Sequence, residues 1–133
     1  MSNRVYLNSD GIIEIEVVGD QNVASVELMG REVDTLLTER RALGKPSLVL
    51  DNLLQMKQVD SDARKLVVEL GKRLDYDRLA MLGTSGILQF GANLMLRATG
   101  RSYKMRYFVD RAEAIEWLKS APASDKPSKM PGA

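Results

Sequence analysis

Two carboxylates and a hydroxyl are the first residues whose types and spacing could do chemistry. Asp51 ends a short apolar run, and Asp60 directly precedes Ser61 further along the chain. A serine at the start of a helix could be a phosphorylation site, because a phosphate group is stabilised at a helix N-terminus. Ser61 could equally be a plain helix N-cap, worth about 1 kcal/mol. We expect the cap, because Asp62 already places a negative charge where the phosphate would lie.

A glycine-rich turn is the second candidate site. Gly83-Thr84-Ser85-Gly86 follows an apolar run and precedes an apolar helical pattern, which is the position at which open α/β sheets bind ligands. Backbone N–H groups in this turn could hold an anion or another ligand. The turn lacks the Gly-Lys-Ser/Thr ending of a nucleotide-binding Walker loop. An ordinary strand-to-helix turn is therefore the stronger prediction.

The third candidate is an interaction surface. The segment 87–99 has an apolar stripe at helical spacing, with Phe90 at its edge and Leu96 nearly opposite, and Arg97 and Arg101 follow without a nearby acid. Excess apolar surface bordered by cations fits a homodimer interface or an anionic lipid surface. Alternatively, the arginines cap the end of this helix and the extra leucines pack under the C-terminal tail. We rank the dimer and this structural explanation above the lipid.

The composition excludes several kinds of chemistry. The chain of 133 residues contains no cysteine and no histidine, which excludes disulfides, thiolate and histidine catalysis and nearly all transition-metal sites. Nineteen Lys and Arg against eighteen Asp and Glu give a net charge of +1, which does not indicate nucleic acid binding. We therefore expect neither an enzyme nor a metal or cofactor. Because no secretion signal or transmembrane segment is visible, we expect a cytoplasmic protein.

Strand and helix patterns alternate along the chain. Strands are predicted at 11–18, 47–51, 78–83 and 104–109, and helices at 25–43, 62–74, 87–99 and 111–119. In the first strand Ile13, Ile15 and Val17 alternate with Glu14 and Glu16, so one face is expected in the core and the other in solvent. Ser25 is the predicted cap of the first helix, Asp110 caps the last, and the segments 19–22 and 52–59 are predicted to be a turn and a loop.

This order predicts an α/β fold with a single layer of about four to five mostly parallel strands and about four helices. The first strand is the one that could pair antiparallel. The domain is expected to cover residues 1–119. Residues 120–133 contain three of the four prolines and mostly small or polar residues, so we expect a disordered tail.

The chain resembles the STAS superfamily of anti-sigma-factor antagonists. Leu48-Val49-Leu50-Asp51 and Val59-Asp60-Ser61 carry the resemblance, and 106–118 looks like the closing strand and helix of the SpoIIAA-like branch, often grouped with CRAL-TRIO lipid-transfer proteins. In the STAS pattern, a partner kinase phosphorylates the serine that matches Ser61 and so changes its affinity for that partner. The pattern usually continues with Ser-Gly, whereas this chain has Asp62-Ala63.

The resemblance implies a small, non-catalytic regulatory module that binds a protein partner or forms a homodimer. The alternative function, implied by the CRAL-TRIO grouping, is the binding of a lipid or another apolar small molecule. A ligand that copurifies with the protein would favour this alternative.

Overall fold

The backbone forms a five-stranded sheet. The computed structural model describes residues 2–85, 92–93, 96–97 and 100–121. The strands are β1 Arg4–Leu7, β2 Ile13–Gln21, β3 Leu48–Val59, β4 Arg78–Leu82 and β5 Met105–Phe108. They lie side by side in chain order, with β1 antiparallel to β2 and the other neighbours parallel. This arrangement confirms the predicted α/β architecture with a mostly parallel sheet.

Helices cover both faces of the sheet. Those of the described chain are α1 Val23–Ala42, α2 Ser61–Arg73 and α3 Arg111–Lys119, and the described residues of the predicted helix 87–99 are also helical. α1 packs on one face and against α2, whereas α3 packs on the opposite face. A Cβ added at Gly30 of α1 would lie 2.9 Å from the Leu70 Cδ2 atom, so this glycine allows α1 and α2 to approach closely.

Side-chain caps define where the three helices begin. Asn22 Oδ1 accepts the Ser25 N–H at 2.9 Å, and Asp60 Oδ1 accepts the backbone N–H three residues later at 2.9 Å. Asp110 caps α3 as predicted. The caps predicted at Ser25 and Ser61 are wrong, because the extended residue that precedes each helix is Asn22 or Asp60. Both residue types cap at least as well as serine.

β2 and β3 are longer than their local sequences predict. They pair in parallel as far as Gln21 and Val59, so the turn predicted at 19–22 begins too early and the loop predicted at 52–59 is wrong. The register shifts twice along this pair, each time with one extra residue in β3. Such bulges interrupt the two-residue alternation by which a strand is recognised in sequence. Pairing with β2 therefore decides the length of β3.

Each face of the sheet carries part of the core. Ile12, Leu50 and Leu82 face α3, whereas Ile13 and Val49 face α1. Glu14 lies on the α3 side and only 1% of its surface is exposed. The prediction that Glu14 faces solvent is wrong, because α3 covers its side of the sheet.

Candidate functional site

Ser61 lies at the carboxyl end of the parallel strands, where α1 and α2 begin beside each other. The Asp60 N–H donates to the Gln21 carbonyl at 3.2 Å, and Gln21 pairs with Val59. These contacts hold the first turns of the two helices together. Ser61 is the first residue of α2 and its side chain is exposed. Its hydroxyl is therefore accessible to an enzyme or to a binding partner.

Acidic residues dominate the surroundings of Ser61. Asp60 caps the helix, Asp62 lies in its first turn, and Asp20 accepts the Gln58 N–H at 3.2 Å. The N-terminus of α2 would stabilise a phosphate on Ser61. The neighbouring carboxylates would repel it, because a phosphate adds about two negative charges. Phosphorylation would thus make this end of the molecule strongly negative.

The structure separates Asp51 from the other two residues of the predicted site. Asp51 is the fourth residue of β3, and this strand continues to Val59 before Asp60 and Ser61 follow. At a rise of about 3.3 Å per residue, the separation from Asp60 is roughly 25–30 Å. The predicted grouping of Asp51 with Ser61 is therefore wrong, whereas Asp60 and Ser61 do lie together.

Asp51 lies instead on the apolar face beneath α1. It is in register with Ile15 of β2 and Met81 of β4, and it is half-buried. No residue in the described part of the chain donates a hydrogen bond to its carboxyl or pairs with it as a cation. Desolvation alone raises the pKa of Asp51 from 3.8 to about 7. Such a carboxyl is a candidate for a functional group, because strongly shifted acids are frequent at functional sites.

The glycine-rich turn is partly committed to the sheet. The Gly83 N–H donates to the Phe108 carbonyl at 3.0 Å, and the Tyr107 hydroxyl donates to the Thr84 carbonyl. The side chains of Thr84 and Ser85 are exposed. Gly86 lies outside the described residues. An anion site at this turn stays a prediction that uses the exposed pair.

The predicted interface residues are distributed between the interior and the surface. Leu96 is half-buried and packs against the core beneath α1, so the prediction that it faces away from the sheet is wrong. Arg101 Nη1 donates to the Leu74 carbonyl at 2.6 Å and therefore binds the end of α2 rather than of its own segment. Arg97 is exposed, whereas Phe90 lies outside the described residues. The interface itself stays a prediction.

A buried ion pair was missed by the sequence analysis. The Arg111 guanidinium donates two hydrogen bonds to the Glu14 carboxylate, at 2.7 and 2.8 Å, and Asn8 and Asn52 donate further ones at 3.1 and 3.4 Å. The hydrogen bonds from Arg111 are the main cause that lowers the pKa of Glu14. Every acceptor is used within the protein, so this cluster joins β2 to α3. No local sequence signal connects two residues so far apart in the chain.

Two further kinds of site were sought in the described residues. No group of acidic residues there is arranged to hold a metal ion. The helices formed by those same residues are too short or too polar to cross a bilayer.

Solved structures with the same fold share little sequence identity with this chain. An uncharacterized protein from Shewanella loihica, described as having a SpoIIAA-like fold, gives a TM-score of 0.59 at 16% identity, over 88% of this chain and 92% of that protein. The unphosphorylated form of the anti-sigma factor antagonist SpoIIAA gives a TM-score of 0.60 at 14% identity, over 90% of this chain and 99% of that protein. No curated protein matches the sequence.

A family model supplies the sequence-level assignment that these structures lack. The model described as SpoIIAA-like matches residues 12–119, from the start of β2 to the end of α3. The expected SpoIIAA-like branch is thereby confirmed, whereas the CRAL-TRIO grouping stays a prediction. The chain belongs to the SpoIIAA-like family.

Proposed function

We propose that the chain is a small, non-catalytic regulatory module that acts by binding another protein. The observation that carries this proposal is the exposed Ser61 hydroxyl at the adjoining starts of α1 and α2. The fold of SpoIIAA, an anti-sigma factor antagonist, supports it. Modification of Ser61 would switch the interaction by changing the charge of this surface.

The binding surface in this proposal is the carboxyl end of the sheet around Ser61. Val23, the first residue of α1, is 39% exposed, and Leu54 in the projecting part of β3 is 49% exposed. Apolar side chains that remain exposed beside polar groups are typical of protein interfaces. A partner that covers them would also contact the Ser61 hydroxyl.

The proposal is tested by capturing the partner with the intact protein and measuring its affinity for variants. We expect Ser61→Glu and Val23→Glu each to weaken binding at least tenfold. Ser9→Glu is the matched control, because Ser9 is an exposed serine in the β1–β2 connection, at the opposite end of the parallel strands. Equal binding by Ser61→Glu and the control would contradict the proposed surface.

A second candidate function is the binding of a lipid or another apolar small molecule. One observation favours it: the apolar face beneath α1 contains Asp51, a polar group without a described partner. Native mass spectrometry of protein purified from its host tests this function. A copurifying apolar ligand supports it, and its consistent absence favours the protein-binding function.

A homodimer through the segment 87–99 also stays a proposal. Its support is the exposed Arg97 beside apolar residues of that segment. Light scattering of the wild type across micromolar concentrations tests it, and a monomer mass throughout would contradict it.

A further inference from the structure

Asp51 belongs to a row of side chains that crosses the sheet. Ile15, Asp51, Met81 and Tyr107 are in register on β2, β3, β4 and β5. Register partners in a pleated sheet point to the same side, so these four side chains form one line beneath α1. Asp51 and Tyr107 are its polar members, and Tyr107 already donates its hydroxyl hydrogen to the Thr84 carbonyl.

The surroundings of this row are apolar. Val17, Leu53, Met81 and Ala92 form a buried cluster at its carboxyl side, and Ile13, Val49 and Met105 belong to the cluster at its amino side. The partly buried residues packed on these clusters include Met29 of α1, Leu79 and Leu96. We call the surface formed by Ile15, Leu53 and Met81 around Asp51 the apolar floor.

An ionised carboxylate in such surroundings is unstable unless a cation pairs with it. Removing a charge from water without a partner costs several kcal/mol. Above about pH 7 the Asp51 carboxyl is mostly ionised, and no described side chain supplies a compensating charge. A bound cation would offset this cost, and the apolar floor would favour a cation that carries a hydrocarbon chain.

We propose that Asp51 anchors an alkylammonium ligand whose hydrocarbon chain lies on the apolar floor. The ammonium group provides both the positive charge and hydrogen-bond donors for the carboxylate. A fatty acid would place a second carboxylate against Asp51, and Mg²⁺ or Ca²⁺ would need more oxygen ligands than one carboxyl offers. This inference rests on the second candidate function and specifies the head group of its ligand.

The experiment is a calorimetric titration of the full chain with octylammonium at about pH 8, with octanol and octanoate as comparison ligands. We expect octylammonium to bind at least tenfold more tightly than octanol, and octanoate to bind most weakly. Asp51→Asn should reduce the affinity for octylammonium at least tenfold and leave the affinity for octanol unchanged. Glu16→Gln is the matched control, because Glu16 is an acid of β2 that points to the opposite face and binds Tyr6.

The outcomes separate the head group from the function on which it depends. Equal affinities for octylammonium and octanol would overturn the head-group assignment and leave the apolar-ligand function standing. Failure of all three compounds to bind would overturn both. Should Asp51→Asn fail to fold by circular dichroism, the wild type still decides, by carbon-13 titration of the Asp51 carboxyl. Octylammonium should lower its pKa and octanol should not; an unchanged pKa with saturating octylammonium contradicts the proposal.

Discussion

Glu14 and Asp51 are acidic residues on adjacent central strands, and the fold shifts their pKa values in opposite directions. Glu14 is almost fully buried but receives hydrogen bonds from Arg111, Asn8 and Asn52. Asp51 faces the other side of the sheet, where the side chains are apolar. The presence of donors, rather than the depth of burial, therefore decides which carboxylate remains ionised.

Replacing Asp51 should remove a pH dependence of stability. Folding raises the pKa of this carboxyl from 3.8 to about 7, so its stabilising contribution is complete below about pH 4 and is lost as the pH rises through about 7. The loss is at most about 4 kcal/mol. We expect Asp51→Asn to increase the free energy of unfolding relative to wild type at about pH 8 and to have little effect near pH 4.

Urea denaturation at several pH values measures this difference. The other titratable side chains in the surrounding clusters are Tyr76 and Tyr107, whose pKa values are raised above 10.0. Both tyrosines stay protonated over this range, so they do not obscure the result. A variant whose stability follows the wild type in parallel from acidic to alkaline pH would contradict the shifted pKa.

Removing Arg111 should destabilise the protein far more than removing an exposed cation of the same helix. Arg111→Met leaves the buried Glu14 carboxylate without its cation, which should cost about 3 kcal/mol. Lys119→Met breaks the exposed pair with Asp10, with 55% and 35% of the two side chains exposed, and should cost less than about 1 kcal/mol.

Chemical denaturation near neutral pH compares these two variants. Because folding lowers the pKa of Glu14, the contribution of this ion pair is present at neutral pH and is lost as the pH falls through the lowered value. The wild type and Arg111→Met should therefore become more similar in acid. Equal losses for the two variants near neutral pH would contradict a structural role for the buried pair.

At the scale of the elements, the two parallel helices begin where hydrogen-bonding side chains meet extended backbone. Asn22 and Asp60 both have extended dihedral angles and accept a backbone N–H from the first turn. β2 and β3 are paired up to this point, so the strand ends also fix the helix starts. The end of the sheet that presents Ser61 is thus built by caps and strand pairing together.

Substitutions at the start of α2 should distinguish the cap from its neighbour. Asp60→Ala should lower the free energy of unfolding by about 1 kcal/mol, because the Ala63 N–H loses its acceptor. Ser61→Ala should change it by less than about 0.5 kcal/mol, because Ser61 is an exposed residue inside the helix. Thermal or urea denaturation measures both. A larger loss for Ser61→Ala would place the capping function on the serine after all.

At the scale of the whole molecule, the residues around 92–97 connect the face beneath α1 to the surface. Ala92 is buried against Val17 and Met81, and Leu96 packs on two core clusters, whereas Arg97 is exposed. Folding stability and partner binding therefore depend on different side chains of the same segment.

The two neighbouring residues of this segment should respond differently to a negative charge. Leu96→Glu should destabilise the fold by about 3 kcal/mol or more, because the carboxylate would enter the core. Arg97→Glu should leave the fold intact and weaken any dimer formed through this segment. Circular dichroism melts combined with light scattering measure both effects. A stably folded Leu96→Glu protein would contradict the packing of Leu96.

Local patterns by themselves determined the order of the elements and several of their limits. The bounds of α3 agree with the predicted helix 111–119, and those of β4 with the predicted strand 78–83 to within one residue. The Asp110 cap is also as predicted. These features depend on periodicity and capping within a few residues of the chain, so the sequence specifies them directly.

Contacts between distant residues decided the rest. Pairing with β2 extends β3 through a polar stretch and carries Ser61 far from Asp51, and α3 buries a glutamate that the alternation placed in solvent. The same packing isolates Asp51 on an apolar face. A side chain's burial and electrostatic partners depend on which element lies opposite it, and in this protein those elements come from segments remote in sequence.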